Sequence, residues 1–179
     1  LKQSLKQIGR SSIRATHTVN QLLALARAEG GSAVVQRQPV DLARLVIEVV
    51  EGSVPRAMDK CIDLGYDGVD PGVPGVWMDG NPTLLKELVR NLVDNAINYT
   101  PSTSDHPGMV TARVLPDTFG RVVLLQVEDS GPGVPEAERE LVFQPFYRAL
   151  GTDADGSGLG LPIVREIARQ HGAEVVLPD

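Results

Sequence analysis

The first part of the chain carries a hydrophobic pattern that predicts a long helix. Over residues 1–29, apolar or small residues recur at alternating steps of four and three. Such a heptad stripe needs a partner, because a single helix has nothing against which to bury it. We interpret it as one helix of a helical hairpin or dimer bundle, with a helix packed on its own domain as the alternative. The stripe consists of Leu1, Leu5, Ile8, Ser12, Ala15, Val19, Leu22 and Ala26.

Capping residues and helical periodicity predict three longer helices and one short one in the rest of the chain. Asp41 and Asn81 are N-cap residues, and Pro82 follows Asn81 at the first helical position, where its missing N–H costs nothing. Pro55 is a residue that can kink or interrupt the first of these helices. The predicted helices are 41–59, 82–99, 135–142 and 159–171.

Shorter apolar patterns between the helices predict strands. They lie within 61–78, around the turn-rich YDGVDPGVPG, at 109–115 and 121–128, and at the final AEVVL of 173–177. Polar or glycine-rich loops separate them. The mixture predicts an α+β domain. We divide the chain into a helical segment at 1–31, a linker at 32–40 and this domain at 41–179.

Composition narrows the possible functions only slightly. Of the 179 residues, 42% are hydrophobic and 22% charged, which is ordinary for a globular protein. The net charge of −6 argues against a dedicated nucleic-acid binder. A single cysteine, Cys61, excludes an internal disulfide framework. Because the sequence starts without Met and within a helical pattern, we expect it to be part of a longer protein.

A stripe of polar residues marks the helix that reads LLKELVRNLVDNAINYT. Glu87, Asn91, Asn95 and Asn98 share one helical face. Asparagine costs a helix roughly 0.5 kcal/mol or more relative to alanine, so three on one face suggest a function. Amide oxygens can hold Mg²⁺ without adding negative charge near phosphates. A solvated helix face is the alternative.

The stretch VEDSGPG places a carboxylate at the end of a strand. Asp129 is followed by Gly131 and Gly133. The carboxylate can accept a hydrogen bond from the amino group of a base, and the glycines let a flat ring approach the backbone. A plain Asp-Gly turn is the alternative.

Two further stretches suggest a phosphate site. In VFQPFYR, the aromatic residues can anchor one end of a loop while Arg148 reaches a phosphate, with ordinary core packing as the alternative. In GSGLG, three alternating glycines open onto a helix N-terminus, a favourable place for an anion and also a common helix entry. Neither the P-loop nor the dinucleotide spacing is present.

These four stretches, in this order, resemble the N, G1, F and G2 boxes of a bacterial sensor histidine kinase. The resemblance covers about residues 41–177, and VNQLLALARAEGG resembles the second helix of that family's dimerisation hairpin. It implies a Bergerat fold, a two-layer α/β sandwich with a mostly antiparallel mixed sheet, preceded by one long dimerisation helix. Two rival interpretations are a gyrase-like ATPase, which would carry Glu at position 91, and a degenerate domain that binds nucleotide without turnover.

The resemblance also implies the roles of individual residues toward ATP and Mg²⁺. Asn95 would be the main Mg²⁺ ligand, supported by Asn91, and these two with Arg148 would be the catalytic residues. Asp129 would hold the adenine amino group, and Tyr99 would pack near the base. The complete implied nucleotide set is Asn91, Asn95, Asn98, Tyr99, Asp129, Gly131, Gly133, Phe146, Arg148, Gly156, Ser157, Gly158, Leu159, Gly160 and Leu161.

The implied reaction is transfer of the ATP γ-phosphate to a histidine, for relay to an aspartate of a response regulator. Gyrase-type relatives place a general-base Glu where this chain has Asn91, and an amide cannot take a proton from water. Slow hydrolysis and phosphotransfer are therefore expected. Glu87, one turn earlier, is not interpreted as the base.

Three features depart from the family pattern. Asn98 stands where Lys or Arg is frequent, and Pro162 stands where a small residue is usual, in a first helical turn that tolerates proline. The sequence also stops at VVLPD, short of the strand that normally closes the sheet, so we expect that strand to be missing.

Partners follow from the same resemblance. We expect a homodimer through the helical hairpin, a cognate response regulator, no nucleic acid, and membrane attachment only through preceding segments of an inner-membrane sensor whose catalytic part is cytoplasmic. His17, His106 and His171 lack the acidic residue and proline that follow the family's acceptor histidine. The acceptor helix is therefore expected before Leu1.

Overall fold

The computed structural model describes residues 36–119, 121–147 and 158–177. The predicted helix at 1–29 and its dimer interface lie outside these residues. The strands are β1 (Gln38–Asp41), β2 (Ile62–Tyr66), β3 (Trp77–Gly80), β4 (Gly108–Pro116) and β5 (Val123–Asp129). The helices are α1 (Leu42–Asp59), α2 (Pro82–Tyr99) and α3 (Gly160–Gln170), with 3₁₀ turns at Glu136–Glu138 and Leu141–Phe143.

The two long helices begin at the predicted capping residues. The Asp41 carboxylate accepts a hydrogen bond from Arg44 N at 3.1 Å, and the Asn81 side chain accepts one from Leu84 N at 3.0 Å. Each cap satisfies an N–H that has no partner within its own helix. Pro55 lies inside α1 without ending it, since the helix continues to Asp59.

The strands form two small sheets. β1 pairs antiparallel with β3, while β4 lies between β2, with which it is parallel, and β5, with which it is antiparallel. Alternation along β4 sends Val110, Ala112 and Val114 toward the helices, where each is fully buried. The register pairs Val110 with Asp129, so Asp129 lies on the same face of the sheet.

The helices pack on one face of the sheet and enclose the core. α2 contacts both α1 and α3. Complete burial of side chains such as Val46, Val93, Ile97 and Ile163 removes apolar surface from water, worth about 1.5–3 kcal/mol for each. The two-layer arrangement confirms the predicted fold class, and two of the three strand pairings among the described residues are antiparallel. None of the described helices is both long and apolar enough for a membrane crossing.

Three local predictions need correction. The predicted linker at 32–40 ends in a strand, because residues from Gln38 onward pair with β3. The predicted helix at 135–142 is two separate 3₁₀ turns. The predicted strand at 173–177 is wrong: Ala173 N instead donates to Ala168 O at 2.9 Å and caps α3, and the residues after it pair with no strand in the described part of the chain.

Candidate functional site

Two asparagine amides converge where α2 meets the first residue of α3. A Cβ placed on Gly160 would lie 3.1 Å from Oδ1 of Asn95 and 3.3 Å from Oδ1 of Asn91. Asn91 is 5% exposed, and its Nδ2 donates to the Glu87 backbone oxygen at 2.9 Å and to Glu87 Oε1 at 3.2 Å. These bonds orient the amide so that its oxygen faces Gly160. The predicted juxtaposition of the asparagine helix with the last glycine of GSGLG is therefore present.

The carboxylate of Asp129 lies at the far end of the same helix. Its Oδ1 accepts hydrogen bonds from Gly131 N at 2.8 Å and from the Thr100 hydroxyl, which follows α2, at 3.4 Å. A Cβ on Gly131 would come within 2.5 Å of Asp129 Oδ1 and 3.3 Å of Tyr99 O. A side chain at position 131 would therefore displace the Asp129 carboxylate from this position. Asp129 itself remains exposed, so the carboxylate is held in place and accessible.

Backbone strain occurs at the aromatic stretch. Phe146 has φ of +66°, which non-glycine residues rarely adopt, and its N–H donates to Gly158 O at 2.9 Å. Gly158 has φ of +70°, and a Cβ there would lie 2.8 Å from the Phe146 backbone. Such strain persists where the surroundings enforce it, which is frequent at functional sites. The contact joins Phe146 of the VFQPFYR stretch to Gly158 of the GSGLG stretch.

The aromatic residues divide between packing and exposure. Phe143 is 9% exposed and lies under the Arg165 guanidinium, 4.8 Å from the ring centroid, so the core-packing interpretation holds for Phe143. Phe146 is 62% exposed. Burial and a hydrogen bond to Glu138 raise the pKa of Tyr147 and keep its phenol protonated. The same hydrogen bond connects the aromatic stretch to the 3₁₀ turn at Glu136–Glu138.

The start of α3 presents a helix N-terminus to the asparagine pair. Its N-cap is the fully buried Leu159, whose side chain offers no acceptor to the first N–H groups. Leu161 follows Gly160, and Pro162 is buried in the first turn, where it breaks no helical hydrogen bond. The positive end of the helix dipole therefore faces the amides, a favourable arrangement for an anion.

Asn98 is directed toward α1. Its Oδ1 accepts hydrogen bonds from Arg56 Nη2 at 2.8 Å and from Lys60 Nζ at 3.4 Å. The sequence did not indicate these two cations, because no local pattern links residues about 40 positions apart. Thr100 was missed as well. Its only sequence signal is its position at the end of the asparagine helix.

The described contacts do not include every predicted nucleotide residue. Arg148, Gly156 and Ser157 are outside the described residues. Gly133 has φ of +71°, which explains the glycine, but a Cβ there would meet nothing within 4 Å. A separate cavity of about 390 Å³ contains none of the predicted nucleotide contacts. That cavity is lined by Asp59, Lys60, Cys61, Thr100, Ser102, Thr103 and Ser104.

Comparison with known proteins gives this geometry a family context. The family model described as Histidine kinase-, DNA gyrase B-, and HSP90-like ATPase matches residues 80–179. Sensor protein kinase PmrB of Pseudomonas aeruginosa is 37% identical over 176 residues, 98% of this chain and 35% of that protein. Sensor protein QseC of Escherichia coli O157:H7 is 36% identical over 174 residues, 97% of this chain and 36% of that protein. The chain thus spans about a third of the length of these curated relatives.

Solved structures agree with the sequence comparison. The catalytic domain of histidine kinase ThkA superposes with a TM-score of 0.62 at 27% identity, covering 76% of this chain and 84% of that domain. Full-length ShkA in complex with AMPPNP gives a TM-score of 0.74 at 29% identity, covering 95% of this chain and 34% of that protein. This likeness confirms the predicted Bergerat fold.

Proposed function

Because the chain belongs to the Histidine kinase-, DNA gyrase B-, and HSP90-like ATPase family, we propose that it binds Mg²⁺-ATP over α2 and transfers the γ-phosphoryl group to a histidine. The observation that carries the proposal is the convergence of Asn91 and Asn95 on Gly160 at one end of the site. Asp129 lies at the other end, beside Thr100. This arrangement supports a nucleotide lying along the helix, with its phosphates toward Gly160 and its base toward Asp129.

The base end of the site is suited to an adenine. Gly131 N–H holds one oxygen of the Asp129 carboxylate. The other oxygen can accept a hydrogen bond from the amino group at C6 of adenine. Guanine has a carbonyl oxygen at C6, which cannot donate a hydrogen bond. Tyr99 and Thr100, at the end of α2, lie beside this turn and would border the base.

The phosphate end fits a magnesium ion by its donor chemistry. Mg²⁺ prefers oxygen ligands and usually keeps several waters, with few protein ligands. The amides of Asn95 and Asn91 are uncharged oxygen donors that face the N-terminus of α3. When bound, the ion would supply charge neutralisation between phosphate oxygens. The protein's own contribution is to fix the two amides, through Glu87 in the case of Asn91.

The composition of the site favours phosphotransfer over hydrolysis. In the proposed reaction an imidazole nitrogen attacks the γ-phosphorus, the bond to the β,γ-bridging oxygen breaks, and ADP leaves with the electron pair of that bond. The Asn91 amide cannot deprotonate a water molecule. The Glu87 carboxylate is engaged with Asn91 Nδ2. Neither group therefore serves water as a base, and an oriented imidazole, itself a nucleophile at neutral pH, is the favoured acceptor.

The setting of the reaction follows from the same family membership. PmrB is named a sensor protein kinase and QseC a sensor protein. These names support a response regulator as the downstream partner and a dimeric parent protein with the acceptor histidine on a hairpin helix. A cytoplasmic position beneath a membrane sensor belongs to this proposal. The chain's own histidines, His17, His106 and His171, are not proposed as acceptors.

Calorimetric titration with ATP, with and without Mg²⁺, tests the proposal. The wild-type chain should bind more tightly when Mg²⁺ is present, and Asn95→Ala should lose that Mg²⁺-dependent gain while binding metal-free nucleotide as before. Thr83→Ala, an exposed position in the first turn of the same helix, is the matched control and should behave as wild type. Equal Mg²⁺ dependence in Asn95→Ala and wild type would remove Asn95 from the metal site.

A further inference from the structure

We infer that Arg56 of α1 is a phosphate-binding residue of the nucleotide site, an inference that rests on the proposed function. The Arg56 guanidinium bridges two side chains of α2, with Nη1 2.5 Å from Asp94 Oδ1 and Nη2 2.8 Å from Asn98 Oδ1. Both terminal nitrogens of the guanidinium therefore reach from α1 to the asparagine helix.

The position of these contacts places Arg56 beside the polar stripe. Asn98 lies seven residues after Asn91, so at 3.6 residues per turn the two share nearly the same direction around the helix. Asn95 is rotated from this direction toward α3, whose Gly160 it faces, while Asp94 is rotated toward α1. The stripe of asparagines is thus flanked by the N-terminus of α3 on one side and by Arg56 on the other.

The negative charges around the asparagine stripe favour a cation beside Asn98. Glu87, Asp94 and Asp129 are acidic, and Asn91, Asn95 and Asn98 are neutral, while a triphosphate adds several negative charges. The Arg56 guanidinium is a cation whose planar fork matches the geometry of phosphate oxygens. Its side chain is 44% exposed, so it can exchange the neutral Asn98 acceptor for a charged one without first being uncovered.

Lys60 has a different role in the same neighbourhood. Its Nζ lies 3.4 Å from Ile97 O and 3.5 Å from Asn98 O, at the carbonyl end of α2. A cation there complements the negative end of the helix dipole. Lys60 Nζ also lies 3.4 Å from Asn98 Oδ1, but it faces those carbonyls as well. In the described part of the chain, the hydrogen bonds of the Arg56 guanidinium go to side chains on or beside the stripe.

A second ion pair joins the same two helices and provides a matched control. Lys86 Nζ of α2 lies 3.0 Å from Glu48 Oε2 of α1, and the Lys86 side chain is 43% exposed. This pair lies near the start of α2, away from the asparagine stripe. If Arg56 served only to hold α1 against α2, Arg56→Ala and Lys86→Ala would have similar effects.

The test compares nucleotide affinities of purified variants by calorimetry in Mg²⁺. Arg56→Ala should bind ATP about tenfold more weakly, the size of one lost charge-assisted contact, and adenosine as wild type does. Lys86→Ala should leave both affinities unchanged. Arg56→Lys should recover part of the loss, and adding Asn98→Lys to Arg56→Ala should recover ATP affinity by placing a cation on the stripe itself.

The outcomes separate this inference from the proposed function. Unchanged ATP affinity in a folded Arg56→Ala, or an equal loss for ATP and adenosine, would overturn the inference and leave the nucleotide site standing. A wild-type chain without measurable Mg²⁺-ATP binding would instead overturn the proposed function. A loss in Lys86→Ala equal to that in Arg56→Ala would assign the effect to helix packing.

Discussion

The amide oxygen of Asn95 and the backbone of Gly160 approach each other so closely that a Cβ on Gly160 would lie 3.1 Å from that oxygen. An added methyl group would have to displace that amide by a few tenths of an ångström. The neighbouring helix therefore favours glycine here, although alanine has the higher helix propensity. Where the first turn of α3 meets the asparagine helix, a single methyl group would enter the proposed metal and phosphate site.

Gly160→Ala should reduce Mg²⁺-ATP affinity by about tenfold or more, since displacing the Asn95 amide removes a contact to a charged group worth about 1.5–3 kcal/mol. The free energy of unfolding should change little. Gly52→Ala is the control: Gly52 lies inside α1, exposed, with nothing within 4 Å of an added Cβ. That variant should gain about 0.5–1 kcal/mol of stability and bind ATP normally. Undiminished ATP binding in Gly160→Ala would mean that the amides do not contact the metal or the phosphates.

Asp129→Asn should weaken ADP binding by about 1–3 kcal/mol, roughly 5- to 150-fold, because a charge-assisted acceptor for the adenine amino group becomes a neutral amide. The matched control is Glu128→Gln. Glu128 precedes Asp129 but lies on the opposite face of β5, where it pairs with Arg113. Calorimetry with ADP distinguishes the two. If both variants bind ADP as wild type does, Asp129 is not at the adenine position.

His171 links the end of α3 to the start of α2, so its removal should destabilise the arrangement of the two helices. Its Nε2 accepts from Asn81 N at 3.0 Å, and its Nδ1 lies 2.7 Å from Ile167 O, to which it donates. His171→Ala should lower the free energy of unfolding by about 1–3 kcal/mol, since the part-buried Asn81 N–H loses its acceptor. His106→Ala, in an exposed loop, should have almost no effect. Urea unfolding of both variants is the measurement, and equal midpoints would show that the link contributes nothing.

The segment 149–157, which runs from the end of the F box into the G2 box, should gain amide protection when nucleotide binds. The sequence there contains Gly, Asp, Ser and Thr, with Leu150 as its one apolar anchor, so little burial is available to order it alone. Hydrogen exchange with and without Mg²⁺-ATP measures the change. Strong and equal protection in both states would contradict the expectation that nucleotide binding orders this segment.

Local signals in the sequence predicted most of what positions the site. The caps at Asp41 and Asn81 lie where their side chains were expected, because N-cap chemistry depends only on the next three residues. The Asp129 turn was predicted for the same reason: the carboxylate bonds to an N–H two residues away. The order of the four boxes then implied which of these local features meet.

Contacts between distant residues were beyond such patterns. Nothing near Asn98 in the sequence indicates that its amide oxygen accepts from Arg56, 42 positions earlier. Strand pairing is equally non-local: β1 exists because Gln38 to Asp41 find β3 as a partner, whereas the apolar AEVVL finds none among the described strands. An apolar run predicts burial, but only a free neighbouring edge converts it into a strand.

The most direct measurement supplies the chain with [γ-³²P]ATP, Mg²⁺ and a separate dimerisation domain that carries an acceptor histidine, from a related sensor kinase. The proposed kinase activity predicts label on that domain that survives alkali and is lost in acid, as expected for phosphohistidine. It also predicts loss of the label in Asn95→Ala and no stable label on His17, His106 or His171. Free phosphate released without labelled protein would contradict the proposed phosphotransfer and favour an ATPase. Stable label on any of the chain's own histidines would contradict the assignment of the acceptor.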